Sequence, residues 1–411
     1  MKYPDPLEKR PHSERIADLF ARLPHQIAHA RQYAGAYQRI LAAVDPAAIA
    51  SPAALATLPV TRKSSLIEEQ RQHPPFGEYA AITAGSAARL FASPGPIHEP
   101  EANRPDFWRM SRALAAAGFE AGDIVQNCFS YHFTPGGFML DAGARALGCA
   151  VFPGGTGQTE QQVAAMSNLG VTAYTGTPSF LKIILEKADE LGVALPKLRK
   201  AVVTGEALPA SLRQWFTDRG IVVRQCYATA DLGLIAYETS PGHGMVVDED
   251  IILEIVRPGS GDVVAEGEVG EVVVTTFNPE YPLIRFATGD LSAFHAETSP
   301  CGRTNRVIKG WMGRADQTAK IKGMFVHPEQ IDALLKRHPE MARARLVVDR
   351  VNDVDDLTLQ IELTQDASEA LTESVVKSLR EVTKLRGKVE CFALNALPND
   401  GKVIDDRRQY N

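Results

Sequence analysis

Apolar residues recur at three-and-four spacing between about residues 13 and 45 (SERIADLFARLPHQIAHARQYAGAYQRILAAV), the period of helices with one buried stripe. Pro24 falls inside this stretch. A proline removes an N–H and crowds the preceding turn, so the pattern predicts helices interrupted near that residue. LPVTRKSSLIEEQR opens another helix. LFASPGPIHEP, Leu90 to Pro100, reads as the end of a short apolar strand entering a turn of glycine and three prolines.

From Phe107 the period changes. FWRMSRALAAAGFEAG is helical with a glycine stop, DIVQNCFS is a strand and GGFMLDAGARALG a helix. The alternation continues through CAVFPGG, TEQQVAAMSNLG, VTAYTGTP, SFLKIILEKADELG, LRKAVVTGE, SLRQWFTDRG and IVVRQCYA. Such alternation builds a largely parallel sheet covered by helices, with ligands at the carboxyl ends of its strands. Between about Asp248 and Phe294 the strands crowd together (IILEIVRP, GEVGEVVVTTF, LIRFATG), which predicts a mainly antiparallel β subdomain. The last hundred or so residues mix strands (ARLVVDRV, DDLTLQIELT) with helices (PEQIDALLKRH, LTESVVKSLREVTKL), as a small α+β domain does. The fold class is therefore α/β: a large N-terminal domain of parallel α/β sheets plus a β subdomain, followed by a small α+β C-terminal domain.

Composition narrows the function classes. A chain of 411 residues is expected to form two or more domains with ample core. A formal charge of −6, from 44 basic and 50 acidic residues, lacks the basic excess that binds nucleic acid or anionic membranes, so neither is an expected partner. Five scattered cysteines without a CxxC pair fit free thiols in a reducing compartment. The N-terminal MKYPDPLEKRPHSER has no apolar signal-peptide core, and the cytoplasm is the expected location.

Three stretches carry candidate chemistry. LFASPGPIHEP could cradle phosphate, yet it has no lysine, Pro94 and Pro96 offer no N–H, and Glu99 would repel an anion; alone it reads as a turn. YPLIRFATGDLSAF ends in Thr288-Gly289-Asp290, where a carboxylate just past a strand can accept hydrogen bonds from two vicinal hydroxyls such as those of a ribose. An isolated TGD is more often only a turn. GWMGRADQTAKIKGMF follows with Arg314, Asp316 and Gly323, and LPNDGKVIDDRR sets Lys402 after a glycine near the chain end.

Together these stretches resemble the adenylate-forming superfamily, and most closely its phenylacetate–coenzyme A ligase branch, over nearly the whole chain from LPVTRKSSL to GKVIDDRR. The resemblance implies activation of a carboxylic acid by ATP and Mg²⁺ to an acyl-adenylate, then transfer to coenzyme A. It implies a nucleotide- and acid-binding domain over residues 1–315 and a C-terminal lid over residues 316–411, hinged at Asp316. Asp290 matches the ribose-binding aspartate, Arg314 the arginine that supports the nucleotide, and Lys402 the lysine that approaches the carboxylate and α-phosphate. VVTGEALPASLR resembles the segment that lines adenine, with Gly205, Glu206 and Ala207. RQCYATADLG resembles the next, with Tyr227 on adenine and Ala228 and Thr229 beside it; Ala230 replaces a phosphate-touching hydroxyl, and Asp231 replaces the glutamate that holds Mg²⁺.

LFASPGPIHEP aligns with the family's phosphate loop, commonly SSGTTGKP. Ser93, Gly95 and Pro100 are kept, the threonines become Pro96 and Ile97, the second glycine becomes His98, and the lysine becomes Glu99. Losing several charge-assisted contacts, each contributing about 1.5–3 kcal/mol, should weaken ATP binding or slow adenylation. The aryl pocket of relatives corresponds here to Tyr131, His132, Phe133, Gly136 and Gly137, with Gly154 and Gly155 at the next strand end; aromatic walls suit a flat apolar acid. His132 could equally be a core histidine. Some relatives carry further cysteines and a histidine around the β subdomain. Here those positions are Thr239, Val246 and Ser299, leaving Cys301 alone and too few ligands for a structural zinc. The expected enzyme is an AMP-forming acyl- or aryl-CoA ligase. An adenylating enzyme with another acceptor stays open, as does a degenerate relative that binds nucleotide or acyl-CoA without full turnover, and a homodimer is an open alternative to a monomer.

Overall fold

The first long helix runs His12–Tyr33 straight through Pro24, which corrects the interruption expected there. Leu19, Leu23, Ile27 and Ala30 form its buried stripe. Burying each Leu or Ile contributes about 1.5–3 kcal/mol, so the stripe outweighs the roughly 3 kcal/mol that an interior proline costs. The computed structural model describes residues 5–408 except 94–95, 316, 318, 322–323 and 352–353.

Two compact units emerge. The first comprises Met1–Leu253, Val273–Thr288 and Phe294–Trp311; the second comprises Glu254–Val272, Gly289–Ala293 and Met312–Asn411. The chain crosses between them within three strands, Ile251–Val256, Gly270–Thr276 and Phe286–Ser292.

The first unit is built on an eight-stranded sheet. Five strands are parallel, in the order Ala150–Phe152, Ile124–Asn127, Ala173–Gly176, Lys200–Val203 and Val222–Thr229. Gly233–Tyr237, Met245–Val247 and Val307–Ile308 then extend it antiparallel. Each parallel step needs a crossover, and the helices Gly136–Ala146, Thr159–Leu169, Pro178–Glu190 and Ala210–Asp218 supply them. Their ends carry legible signals. Gly170 closes one helix in the left-handed conformation, and Thr177 caps the next by accepting the Phe180 N–H, with Pro178 in the first turn. One core cluster includes Trp108, Met110, Leu114, Val125, Leu140 and Val202; another includes Val163, Leu181, Ile184, Ala201, Val203 and Phe216. The helices Met110–Ala116 and Gly136–Ala146 approach closely at Gly143, where a Cβ would lie 2.7 Å from that of Met110.

The second unit has its own core. Lys388–Phe392, Val354–Leu363, Met341–Val351 and Ile404–Asp406 form one sheet in that order. Its central pair is antiparallel and both outer strands are parallel to their neighbours. The amphipathic helices Pro328–Arg337 and Glu369–Thr383 bury Ile331, Leu334, Val375 and Leu379 with Leu346, Leu359 and Ile361 of the sheet.

The N-terminal residues are held onto the first unit by buried ion pairs. Arg112, only 2% exposed, lies 2.5 Å from Asp248 and 3.0 Å from Asp5. Arg109 reaches Asp248 at 2.6 Å, Arg15 reaches Glu249 at 2.9 Å, and Arg303 reaches Glu8 at 3.0 Å. Removing one partner of such a network strands the other charge away from water. Arg112→Ala should therefore cost about 3 kcal/mol or more of stability in urea unfolding, whereas Arg22→Ala, at a half-exposed pair with Asp250, should cost less than about 1 kcal/mol. Equal losses in the two variants would contradict this account of the network.

Candidate active site

The carboxyl ends of the parallel strands gather most of the residues singled out in the first unit. Lys200–Val203 leads into Gly205, Glu206 and Ala207, which are exposed. Gly205 sits at φ 81°, a conformation that suits glycine. Glu206 accepts the Ser179 N–H at 3.4 Å, at the N-terminus of the helix Pro178–Glu190, where a carboxylate is favoured. On Val222–Thr229 the Tyr227 side chain is buried and its hydroxyl donates to Thr288 Oγ1 at 3.1 Å. A bulge falls between Tyr227 and Ala228, and Thr229 Oγ1 accepts the Leu232 N–H.

Asp231 follows, buried. Its Oδ2 accepts from Lys63 Nζ at 2.5 Å, while Oδ1 is buried without a hydrogen-bond partner among the described residues. A carboxylate oxygen left open in this way fits a hard cation, which takes oxygen ligands. Lys63 was not among the candidates from sequence, since it stands 168 positions from Asp231. Its only local mark is being the first lysine after LPVTR.

The phosphate-loop stretch is a tight hairpin. Arg89–Ser93 pairs antiparallel with Ile97–Glu101, Phe91 opposite Glu99 and Ser93 opposite Ile97. Strand alternation turns Glu99 inward and His98 outward. Glu99 is 1% exposed; Ser93 donates to it through its hydroxyl at 2.5 Å and its backbone N–H at 3.3 Å. Burial first, and the nearby Asp231 charge second, push the Glu99 carboxyl up to about 8, with Ser93 and Lys63 opposing the shift. The side chain of Gln70 holds both the N–H and the carbonyl of His98, as a neighbouring strand would. Gly95 lies outside the described residues.

The acid-binding candidates lie beside this hairpin. Ala92 donates its N–H to the Phe133 carbonyl at 2.8 Å, joining the two segments. Asn127 donates to the Tyr131 hydroxyl and to the Gly137 carbonyl, each at 2.8 Å, and Tyr131 donates in turn to Asp141 at 3.3 Å. The Tyr131 and Phe138 rings meet edge-on with centroids 5.1 Å apart. Gly137 is obligatory: a Cβ would lie 2.7 Å from the Ser130 carbonyl and 2.9 Å from the Tyr131 ring. Gly136 has ordinary room against Phe129. At the neighbouring strand end, a Cβ on Gly154 would collide with Gln162, which donates to the Gly154 and Gly155 carbonyls. His132 is exposed and is not a core histidine; Phe133 is 81% exposed with φ 59°.

The second unit holds the remaining candidates. Arg314 donates to Asp290 Oδ1 at 2.8 Å, and the two residues also form a backbone bridge. Gly289, at φ 75°, leaves the space that the guanidinium fills, since a Cβ there would be 2.6 Å from Arg314 Nη2. Lys402 Nζ lies 2.7 Å from Asp405 on a half-exposed side chain. Its loop is fixed by Arg345, which donates to the Lys402 carbonyl, and by Gln317, which donates to the Gly401 carbonyl. Asp316 lies outside the described residues.

Profiles of two families match the chain: the AMP-binding enzyme over residues 106–278, which begins after the hairpin, and the AMP-binding enzyme C-terminal domain over residues 323–407. A phenylacetate–coenzyme A ligase of Thermus thermophilus is 30% identical over 413 aligned residues, 95% of this chain and 92% of that protein. The chain belongs to the adenylate-forming AMP-binding enzymes, in the phenylacetate–CoA ligase branch. A second phenylacetate–coenzyme A ligase, from Aromatoleum evansii, is 29% identical with 98% and 97% of the two chains covered. Among solved structures, an open conformation of 2-hydroxyisobutyryl-CoA ligase with 2-HIB-AMP and CoA superposes with a TM-score of 0.71 at 26% identity, covering 95% of this chain and 91% of that one. The protein is thus an AMP-forming acid–thiol ligase, an enzyme that makes an acyl-adenylate and passes the acyl group to coenzyme A.

The positions that the sequence resemblance aligns with further cysteines and a histidine of some relatives lie around Cys301 and in the core. Thr239 and Ser299 share a hydrogen bond at 2.8 Å, Ser299 meets Cys301 Sγ at 3.0 Å, and Arg303 donates to that sulfur at 3.4 Å. Val246 is part of the apolar core. One thiol and two hydroxyls do not make a zinc site. Burial opposes ionisation of Cys301, yet the hydrogen bonds from Ser299, Thr239 and Arg303 outweigh it and bring the thiol down to about 7. Burial pushes Cys128 and Cys226 up to about 12 and Cys149 to about 11. Iodoacetamide should therefore modify Cys301 first, with a rate that rises through an apparent pKa near 7, as peptide mass spectrometry over a pH series would read. Earlier modification of Cys128 or Cys226 in the folded protein would refute this ordering.

Proposed function

We propose that the chain activates an aromatic carboxylic acid and that the residues gathered above divide the work as follows. The Asn127–Tyr131–Asp141 chain, with Phe138 against the tyrosine, builds an aromatic wall with a fixed polar rim for the acid. Tyr227 packs on the adenine, Gly205 to Ala207 line it, and Asp290, oriented by Arg314, accepts the ribose hydroxyls. The acid's carboxylate attacks the α-phosphorus, the bond to the bridging oxygen breaks, and pyrophosphate leaves. The thiol sulfur of coenzyme A then attacks the acyl carbon, AMP leaves, and the thiol proton is lost.

The observation that carries this reading is Asp231, buried beside Lys63 with one carboxylate oxygen open. Asp231 would hold Mg²⁺ through that oxygen, and a bound Mg²⁺ would neutralise phosphate charge. Lys63 keeps the other Asp231 oxygen occupied and offers a partly exposed cation at the same place. Lys402, on a lid of residues 316–411 hinged at Asp316, neutralises the carboxylate and phosphate as they meet, a task suited to a cation brought in on a moving element. None of the described helices is long and apolar enough to cross a membrane, and we place the enzyme in the cytoplasm.

A panel of aromatic and short aliphatic acids with ATP, Mg²⁺ and coenzyme A, followed by pyrophosphate release and thioester mass, tests the substrate class. Turnover of aliphatic acids alone would overturn the aromatic assignment. In the same assay Lys402→Ala should lose acid-dependent pyrophosphate release by about a hundredfold or more, within the usual range for a positioned charge, and still convert supplied acyl-adenylate to thioester. Equal loss in both half-reactions would refute the division of labour.

A further inference from the structure

The hairpin that stands where relatives grip phosphate already contains an anion-sized occupant. Both donors that Ser93 offers, its N–H and its hydroxyl, are taken by the two oxygens of Glu99. The Glu99 side chain is enclosed rather than turned to solvent, so it does not merely repel a phosphate from a distance. Nor is it free to swing away with the strand. Phe91 pairs directly opposite Glu99, Gln70 clamps the adjacent His98 on both backbone polar atoms, and Ala92 is tied to Phe133. Asp231 lies nearby, paired with Lys63 at 2.5 Å, and both of these charges act on Glu99.

We propose that Glu99 is a specificity-determining residue, whose carboxyl group fills the anion seat of the hairpin from within the chain and so disfavours a nucleoside triphosphate or pyrophosphate relative to a nucleoside monophosphate or acyl-adenylate. The inference rests on the nucleotide-site reading above. A polyphosphate reaching Ser93 must displace the carboxyl group or share its donors with it, and it meets the two neighbouring acids Glu99 and Asp231. A monophosphate ester has no β- or γ-phosphate to place there. The penalty therefore falls on ATP and on pyrophosphate and spares the adenylate, so pyrophosphate leaves readily after the first half-reaction while the acyl-adenylate stays for the thiol.

Calorimetric titration of the full chain in Mg²⁺ buffer with AMP, ATP and pyrophosphate tests this for wild type, Glu99→Ala and Glu99→Gln. Opening the seat in Glu99→Ala should lower the ratio of the ATP to the AMP dissociation constant by about ten-fold or more, the equivalent of one charge-assisted hydrogen bond. Glu99→Gln keeps an acceptor for Ser93 and removes the acid, so its ratio should fall by a smaller factor, about three-fold. If Glu99→Ala does not fold, the isosteric Gln variant decides alone. A ratio unchanged or raised in the folded variants overturns the inference, and a raised one would mean that the carboxyl group helps to hold the metal–nucleotide. Wild type that binds no AMP would instead overturn the nucleotide-site reading.

Discussion

Buried charge is the constraint on which the first unit depends. Arg112 and Asp248 stand 136 positions apart, and neither can leave water without the other. Their pair draws in Arg109 from the same helical segment and Asp5 from the N-terminus, while the neighbouring Glu8 and Glu249 engage Arg303 and Arg15. Stability from such a network is modest, because desolvation offsets most of the attraction. Its effect is selective: the N-terminal residues have one seat on the sheet in which all the ions are matched.

That seating delivers the chemistry. With the first helix in place, Arg285 donates to the Ala56 and Leu58 carbonyls, the Thr61 N–H donates to the Arg285 carbonyl, and Thr61–Arg62 pairs parallel with Phe286–Ala287. The next residue is Lys63, which arrives at Asp231. A cation is thus present beside Asp231 and near the hairpin by way of a different segment. That lysine is already engaged by Asp231 at 2.5 Å. In the Thr239–Ser299–Cys301 cluster, hydroxyl, thiol and guanidinium groups join two distant segments by hydrogen bonds. The by-product is a thiol whose sulfur is stabilised as an anion.

The sequence by itself determined the order of the elements and the class of fold. Every strand from DIVQNCFS to LRKAVVTGE appears as a parallel strand followed by its helix, and IVVRQCYA closes the parallel run, because a parallel connection needs a long crossover, and a helix announces itself within a few residues through its period and its caps. The stretches that gather at the strand ends were legible for a related reason, since ligands in open α/β sheets bind there and the turns carry glycine. Tertiary structure alone decided whatever depends on a distant partner. The helix persists through Pro24 because its stripe is buried, while Arg15 and Gln26 on the same helix are held by Glu249 and Asn278 far along the chain; Lys63 meets Asp231 across 168 positions; and the Cys301 thiol is lowered by its neighbours Ser299 and Arg303 together with Thr239 from another strand end. Glu99 is the sharpest case. Alternation states that it faces opposite to His98, but not which of the two faces is covered. Only the packing of the hairpin beside Gln70 and Phe133 settles that the acid points in, where it takes the donors of Ser93.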